Sequence, residues 1–398
     1  MLDRFYNRPI SYFCFLIAPF LTFVYSIFHL KKKESLYIVG AFFILYMYSI
    51  EYNLNEWYDL DGWNHASYYE QSTISDFVYN IKTAFLLEQI PQGNWFLDSY
   101  INIVGIIAKS LGGSYHLFFA LVALFYSTFF IKSLRMILRE CKFDDRLVSA
   151  IMIFWLFMSF HIYSLTGVRF ASAIWFSIWC TLKLYIDKDK KYLAILFLST
   201  QIHFTFWFYC IIVLVGYFFG KNEKLWIVLA LISSFLMIIP ESSVENIIQQ
   251  LPSLFSERAL SYGVDRSNEV KDAISQSNFR KYLDPLGSFI QVVILVMLIY
   301  DKNKMMKKRY YNVFLLLLVV TTFTNIVSFM PDMGRFRTLC NPLKIICLSM
   351  IPLTRPMKAC IYLIPLTMIR GLIDLVTPSF ALLPANFWYS NILFIVFK

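Results

Sequence analysis

Charge is scarce in this chain. Asp, Glu, Lys and Arg make up 16% of its 398 residues, where a soluble globular protein carries about a quarter. Cysteine occurs seven times, as Cys14, Cys141, Cys180, Cys210, Cys340, Cys347 and Cys360, but never as a CxxC pair. Most of these fall inside apolar runs. They read as small core hydrophobes, which argues against a disulfide framework and a cysteine metal site. No stretch shows the ten-residue alternation of a membrane barrel, and there is no internal repeat or low-complexity segment. The start of the chain mixes Asp3, Arg4 and Arg8, and the apolar stretch that follows lacks small residues at a cleavage position. That stretch therefore reads as a membrane span and not as a secretory signal.

What the chain has in abundance is apolar surface. It is 58% hydrophobic and 19% aromatic, with mean hydropathy +0.58. Apolar runs of membrane-spanning length recur along most of it, and only helices or closed barrels satisfy their backbone in lipid. The fold class is all-α: a polytopic transmembrane helical bundle forming one integral-membrane domain over 1–398. Spans are expected near 10–30, 36–51, 114–134, 147–165, 169–186, 191–203, 204–220, 225–240, 286–300, 311–330, 338–353, 358–377 and 387–398, about thirteen in all.

The net charge of +10 does not indicate nucleic acid, because the cations sit in short clusters between apolar runs. They behave as topology signals. One alternating set of loops holds the run at 31–33, then Lys132 to Arg146, Lys188 to Lys191, Lys221 with Lys224, KNKMMKKR at 302–309, and Arg355 with Lys358. Thirteen spans put all of these on the cytoplasmic side, with the N-terminus outside and the C-terminus inside. Merging 191–220 into one span breaks the alternation. Two long loops, about 52–113 and 241–285, then face outward, and long loops are often functional. The second half of the first loop has the pattern of a helix lying in, or dipping into, the interface.

Candidate chemistry gathers on that outer face. Arg169 in HIYSLTGVRFASAIW has no acidic neighbour in the flanking apolar runs and opens the span 169–186. A guanidinium matches phosphate geometry, a helix start favours an anion, and Gly167 allows close backbone approach. Arg335 follows Gly334 in the same way, with Arg337 beyond it. His203 ends the span 191–203, and Asp59, Asp61 and His65 lie in YDLDGWNHASYY, near Tyr68. Two glycine–arginine turns at outer helix starts suit a lipid-linked phosphate or diphosphate entering from the bilayer. Each feature also has a plainer reading. An arginine at a helix end snorkels to headgroups, Arg337 more so than Arg335. A lone histidine serves as an interhelical donor, and tyrosine and tryptophan at 57–69 form an interfacial belt as readily as a sugar platform. Asp59 and Asp61 have the look of a metal-binding pair, but that spacing is weak evidence.

The block SLTGVRFASAIWFSIWCTLKLYIDKDKKYLAILFLSTQIHFTFWFYCIIVLV resembles the EpsG group of polysaccharide polymerases, related in role to the Wzy O-antigen polymerases. That group has a Gly-x-Arg-Gln element opening a helix, a short basic turn, and a helix ending in Phe- or Ile-His. Gly167, Arg169 and His203 match, while Phe170 stands where the group has Gln. DLDGWNHASYY resembles its Gly-x-Asp-aromatic and Tyr element in altered order, and MGRFRTLCNPL resembles its late arginine. The resemblance implies a bacterial inner-membrane glycosyltransferase, active toward the periplasm, that joins repeat units linked to undecaprenyl diphosphate into O-antigen or another surface polysaccharide. No cofactor or nucleotide sugar is implied, and a separate chain-length regulator is an expected partner. On this reading Arg169 and Arg335 hold diphosphates, with Arg337, Gly167 and Tyr68 lining the substrate site. His203 takes the acceptor proton, with Asp61 as the rival base, and the activated leaving group requires no metal. A polyprenyl-phosphate-dependent transferase or ligase, a flippase of lipid-linked oligosaccharide and a non-catalytic lipid-binding protein remain as alternatives.

Overall fold

The computed structural model describes residues 8–52, 60–86, 99–141, 143, 145–159, 162–236, 278–306, 308, 310–328 and 333–396. Every regular element among them is helical. In chain order they are α1 (Arg8–Ile17), α2 (Pro19–Ile27), α3 (Lys33–Tyr48), α4 (Leu60–Gln71), α5 (Ile74–Leu86), α6 (Ser99–Ser110), α7 (Tyr115–Glu140) and α8 (Arg146–Ser159). A 3-10 turn, Ile162–Gly167, leads into α9 (Arg169–Tyr185). Then come α10 (Lys191–Leu196), α11 (Ser199–Ile202), α12 (Phe206–Phe219), α13 (Glu223–Leu236), α14 (Asn278–Tyr300), α15 (Lys302–Met306) and α16 (Tyr311–Val327). A second 3-10 turn, Met333–Leu339, precedes α17 (Cys340–Ser349), α18 (Arg355–Leu382) and α19 (Ile392–Val396).

Two helices form the centre. In α9, every side chain is buried except Arg169, Trp179 and Lys183, and in α16 the run Val313 to Thr322 is buried without a break. Helices apolar on all sides belong inside a bundle. Around them α7 bridges α3 and α9, α12 and α13 cover α16, and α18 packs between α8 and α14. Lipid gives no hydrophobic drive between helices, so close packing has to supply it. At the α3–α7 contact a Cβ on Gly40 would stand 2.6 Å from Ile131 Cδ1, so the tip of Ile131 packs onto the bare backbone of α3 there. Hydroxyls inside the spans bond their own helix. Thr324 donates to the Val320 carbonyl at 2.7 Å and Thr22 to that of Ala18 at 2.8 Å, so these two hydroxyls need no partner from lipid.

One end of the bundle is tied by ion pairs between the basic turns. Arg139 Nη2 meets Asp187 at 2.9 Å, Lys183 meets the same carboxylate at 2.7 Å, and Lys358 reaches Asp145 at 3.0 Å. Lys302 and Tyr311 both bond Glu223. The alternation seen in the sequence thus brings these turns together. The chain reverses at residue 203 as well. Tyr192, early in this segment, packs on Trp179 far along α9 (5.0 Å), whereas His203 packs on Phe170 at the start of α9 (5.6 Å). The 191–220 region is therefore two antiparallel legs.

Two expectations change. Among the described residues one helix, Tyr115–Glu140, is long and apolar enough to cross a bilayer unaided. Others, such as α8, α12 and α16, are apolar but run 10–17 residues, where a full crossing takes about 20. The thirteen segments appear largely as apolar helices shorter than a full crossing, and that number of complete spans does not follow. The stretch 387–398 differs more. Its described helix, α19, has 5 residues and rises only about 7 Å. Phe387 packs on Phe42 and Tyr46, and Trp388 on Phe20, while α19 contacts α1, so among the described residues this stretch holds no helix long enough to cross.

The outer loop 52–113 is helical where it is described. Within it α6 docks on the bundle through Tyr100, Asn102 and Val104, and Tyr100 pairs its hydroxyl with Ser172 of α9 at 3.2 Å. The loop 241–285 lies almost wholly outside the described residues.

Candidate active site

The end opposite the basic turns gathers the polar residues. On α4, Asp61, His65 and Tyr68 recur at i, i+4 and i+7, the spacing of one helix face. This helix packs against the turn Ile162–Gly167, which sets that face beside the start of α9. Arg169 is the first residue of α9. Val168 before it carries φ of +31°, a conformation that costs a β-branched residue about 1–3 kcal/mol and tends to persist at functional positions. Surrounding bonds hold it there: Val168 N–H donates to the Leu165 carbonyl at 2.8 Å, its own carbonyl accepts from Ser172 at 2.7 Å, and its side chain is fully buried. The strain therefore falls on Val168 and not on Gly167. A Cβ on Gly167 would meet no atom within 4 Å, so the space beside it is open and packing does not demand glycine there. No side chain caps the start of α9, and uncapped helix starts suit anions.

Arg335 comes from the turn Met333–Leu339. Its guanidinium carbon stands 4.0 Å above the ring centroid of Phe170. Phe170 also packs edge-on to His203 at 5.6 Å and to Phe336 at 5.2 Å, and lies 5.5 Å from Phe206. Phe206 and Phe336 are fully buried. The aromatic at 170, where the EpsG pattern has Gln, is thus the platform for Arg335. Such a cation–π contact is worth about 0.5–1 kcal/mol where the cation is exposed, as Arg335 is.

His203 sits in the extended break between α11 and α12. Its Nδ1 accepts from the Thr205 backbone N–H at 3.3 Å, with the Thr205 hydroxyl at 2.9 Å. A nitrogen that accepts an N–H carries no proton, so the neutral ring holds its proton on Nε2. His203 accordingly offers a donor, which suits an anion better than it suits proton abstraction. Ser99 of α6 bonds Gln201 at 3.1 Å and ties the outer helices to this break.

The charges lie within reach of one another. His203 feels Arg169, Arg335 and His65, while Tyr68 feels Arg169. His65 is held low, at about 4, by burial first and by the Arg169 guanidinium second, against an upward pull from Asp61. It is therefore neutral near pH 7. Asp61, Tyr68, Arg169, His203 and Arg335 come together as the sequence suggested, with Gly167 two residues from Arg169. His65 belongs to the same group as fully as any of these, and its signal was the four-residue spacing from Asp61. Tyr68 joins neighbouring helices. Its hydroxyl donates to Asn102 Oδ1 at 3.0 Å and accepts from Asn80 Nδ2 at 2.7 Å, so it locks α4 to α5 and α6.

Arg337 departs from the group. Its Nε is buried, and its Nη2 lies 3.9 Å from where a Cβ on Gly334 would stand. Asp59 lies outside the described residues. Among those described, no three His, Cys, Asp or Glu side chains gather as metal ligands.

The chain is thus an all-helical integral membrane bundle with two arginines, two histidines and a carboxylate gathered at one end. The chain belongs to the EpsG family, whose model matches residues 55–390, a family of Wzy-like polysaccharide polymerases and glycosyltransferases. That range contains every residue of the cluster. No curated protein and no solved structure matches the chain.

Proposed function

We propose that this protein polymerises undecaprenyl-diphosphate-linked oligosaccharide units into a surface polysaccharide, at the periplasmic face of the bacterial inner membrane. The observation that carries this reading is the convergence of Arg169 and Arg335 around His203 and Phe170, at the end away from the basic turns. By the positive-inside rule that end faces outward. In the reaction an acceptor sugar hydroxyl bonds the anomeric carbon of the donor. The bond from that carbon to the diphosphate breaks, and the diphosphate leaves with the electron pair. Arg169, Arg335 and the Nε2–H of His203 stabilise the developing charge, as positioned donors do most effectively away from water. The acceptor proton passes to Asp61, with neutral His65 beside it. This assignment moves the base from His203 to its rival, because the His203–Thr205 bond leaves the wrong nitrogen facing out. Arg169 and Arg335 bind the diphosphate, and Tyr68 acts by positioning α4. A separate protein sets chain length.

The test is complementation of a deletion in the native host, read as a polysaccharide gel at matched membrane levels. Wild type restores a ladder, the deletion collapses it to one repeat unit, and Arg169→Ala reduces it to a trace. Loss of all glycan in the deletion, the single unit included, would point to a flippase, ligase or assembly transferase and overturn this reading.

A further inference from the structure

The first turn of α6 bonds three different elements that carry the site. Ser99 Oγ donates to Gln201 Oε1 at 3.1 Å, two residues before His203. Asn102 Oδ1 accepts from the Tyr68 hydroxyl at 3.0 Å, on the helix that carries Asp61 and His65. Between these two, the Tyr100 hydroxyl lies 3.2 Å from Ser172 Oγ of α9. This third contact has a direction. A serine hydroxyl carries one proton, and Ser172 gives it to the Val168 carbonyl at 2.7 Å. Its oxygen therefore accepts from Tyr100. Both residues are buried, where a hydroxyl left without a partner is costly.

The chain of hydroxyls ends on Val168, whose φ is +31°. Such a conformation persists only where the surroundings over-determine it. The Val168 side chain is fully buried, its N–H is held by the Leu165 carbonyl at 2.8 Å, and its carbonyl is held by Ser172. The next residue is Arg169. We infer that Tyr100 and Ser172 are positioning residues for glycosyl transfer: their hydroxyls fix the Val168 peptide and with it the point at which Arg169 leaves the backbone. The inference rests on the polymerase reading, in which Arg169 meets the departing diphosphate. It also gives the outer loop a task. One turn of α6 registers the start of α9, the break at His203 and the α4 face to one another, so the three sides of the site keep their spacing.

The experiment measures kcat and KM of the full-length protein in proteoliposomes by release of undecaprenyl diphosphate, using lipid-linked repeat units extracted from the native host. Melting temperature is followed in parallel. The Tyr100 ring packs 5.0 Å from Phe125 of α7, so Tyr100→Phe removes the hydroxyl and keeps the ring. It should lower kcat by about two- to tenfold, the scale of one hydrogen bond. Ser172→Ala should lower it by about ten- to a hundredfold, the scale of a misplaced group near the reacting atoms. KM should change less in both. In an Arg169→Ala background neither should slow the reaction further, because the group they place is gone. Tyr69→Phe is the control. It removes a 2.7 Å bond from α4 to the Gly113 carbonyl just beyond the other end of α6, and should lower the melting temperature with kcat kept. If Ser172→Ala does not fold, Tyr100→Phe carries the same comparison. Losses that multiply with Arg169→Ala, or a loss of kcat in Tyr69→Phe equal to that in Tyr100→Phe, would mean general loosening and overturn the positioning role. Full kcat in Tyr100→Phe and Ser172→Ala would overturn it and leave the polymerase reading standing. Wild type releasing no undecaprenyl diphosphate overturns both.

Discussion

Arg169→Ala is the perturbation that most directly separates a substrate-binding arginine from one that merely snorkels. Arg169 is the first residue of α9, and alanine is a good helix former, so α9 should persist with its buried face unchanged. What is lost is one guanidinium within electrostatic reach of His65, His203 and Tyr68. A charge-assisted hydrogen bond contributes about 1.5–3 kcal/mol, and removing one positioned donor to a developing anion costs about 10²–10³ in rate, or roughly 2.7–4 kcal/mol. Arg335 remains, so the expected loss lies in that range and not at complete inactivity. Purified enzyme in proteoliposomes, fed lipid-linked repeat units and followed by release of undecaprenyl diphosphate, gives the rate. Arg169→Lys keeps the charge but not the fork and should fall between. The same variant has a second readout. Removing the guanidinium takes away the second cause of the low His65 value, so that histidine should titrate above about 4 when followed by NMR. A rate within threefold of wild type, together with an unmoved His65, refutes the assignment.

The tautomer of His203 predicts that His203→Gln, whose amide can replace the Nε2–H donor, retains more activity than His203→Asn or His203→Ala. Equal loss in all three would restore His203 as the base. Phe170→Leu should weaken substrate binding by a few-fold through loss of the surface under Arg335, about 0.5–1 kcal/mol, visible as a raised KM with kcat nearly kept. An unchanged KM would remove the platform role. Because the folded protein holds His65 below its ordinary value of 6.5, the unfolded chain binds the extra proton first as pH falls. The stability tied to neutral His65 is then complete above pH 6.5 and lost progressively toward pH 4. His65→Gln should flatten that part of the melting-temperature profile, and an unaltered profile would mean His65 does not contribute.

The sequence by itself determined the helical class, because long apolar runs leave the backbone no other partner in lipid. It also determined which turns lie together, since charge clusters resist burial wherever the chain folds, and the pairs Arg139 with Asp187 and Lys358 with Asp145 follow that rule. Arg169 was legible as a helix start because an isolated cation among aromatics stands out locally. Only the tertiary structure decided the rest. The length of each helix depends on where neighbours cover it, and among the described residues the apolar stretch after Phe387 holds only a five-residue helix. The partners of Phe170 come from α12 and from a turn more than 160 residues later, so its place beneath Arg335 had no local signal. The proton position on His203 follows from a bond made two residues on, in a break whose geometry neighbouring helices impose. Composition and spacing constrain what each segment can be, but contacts between distant segments decide what each polar group meets.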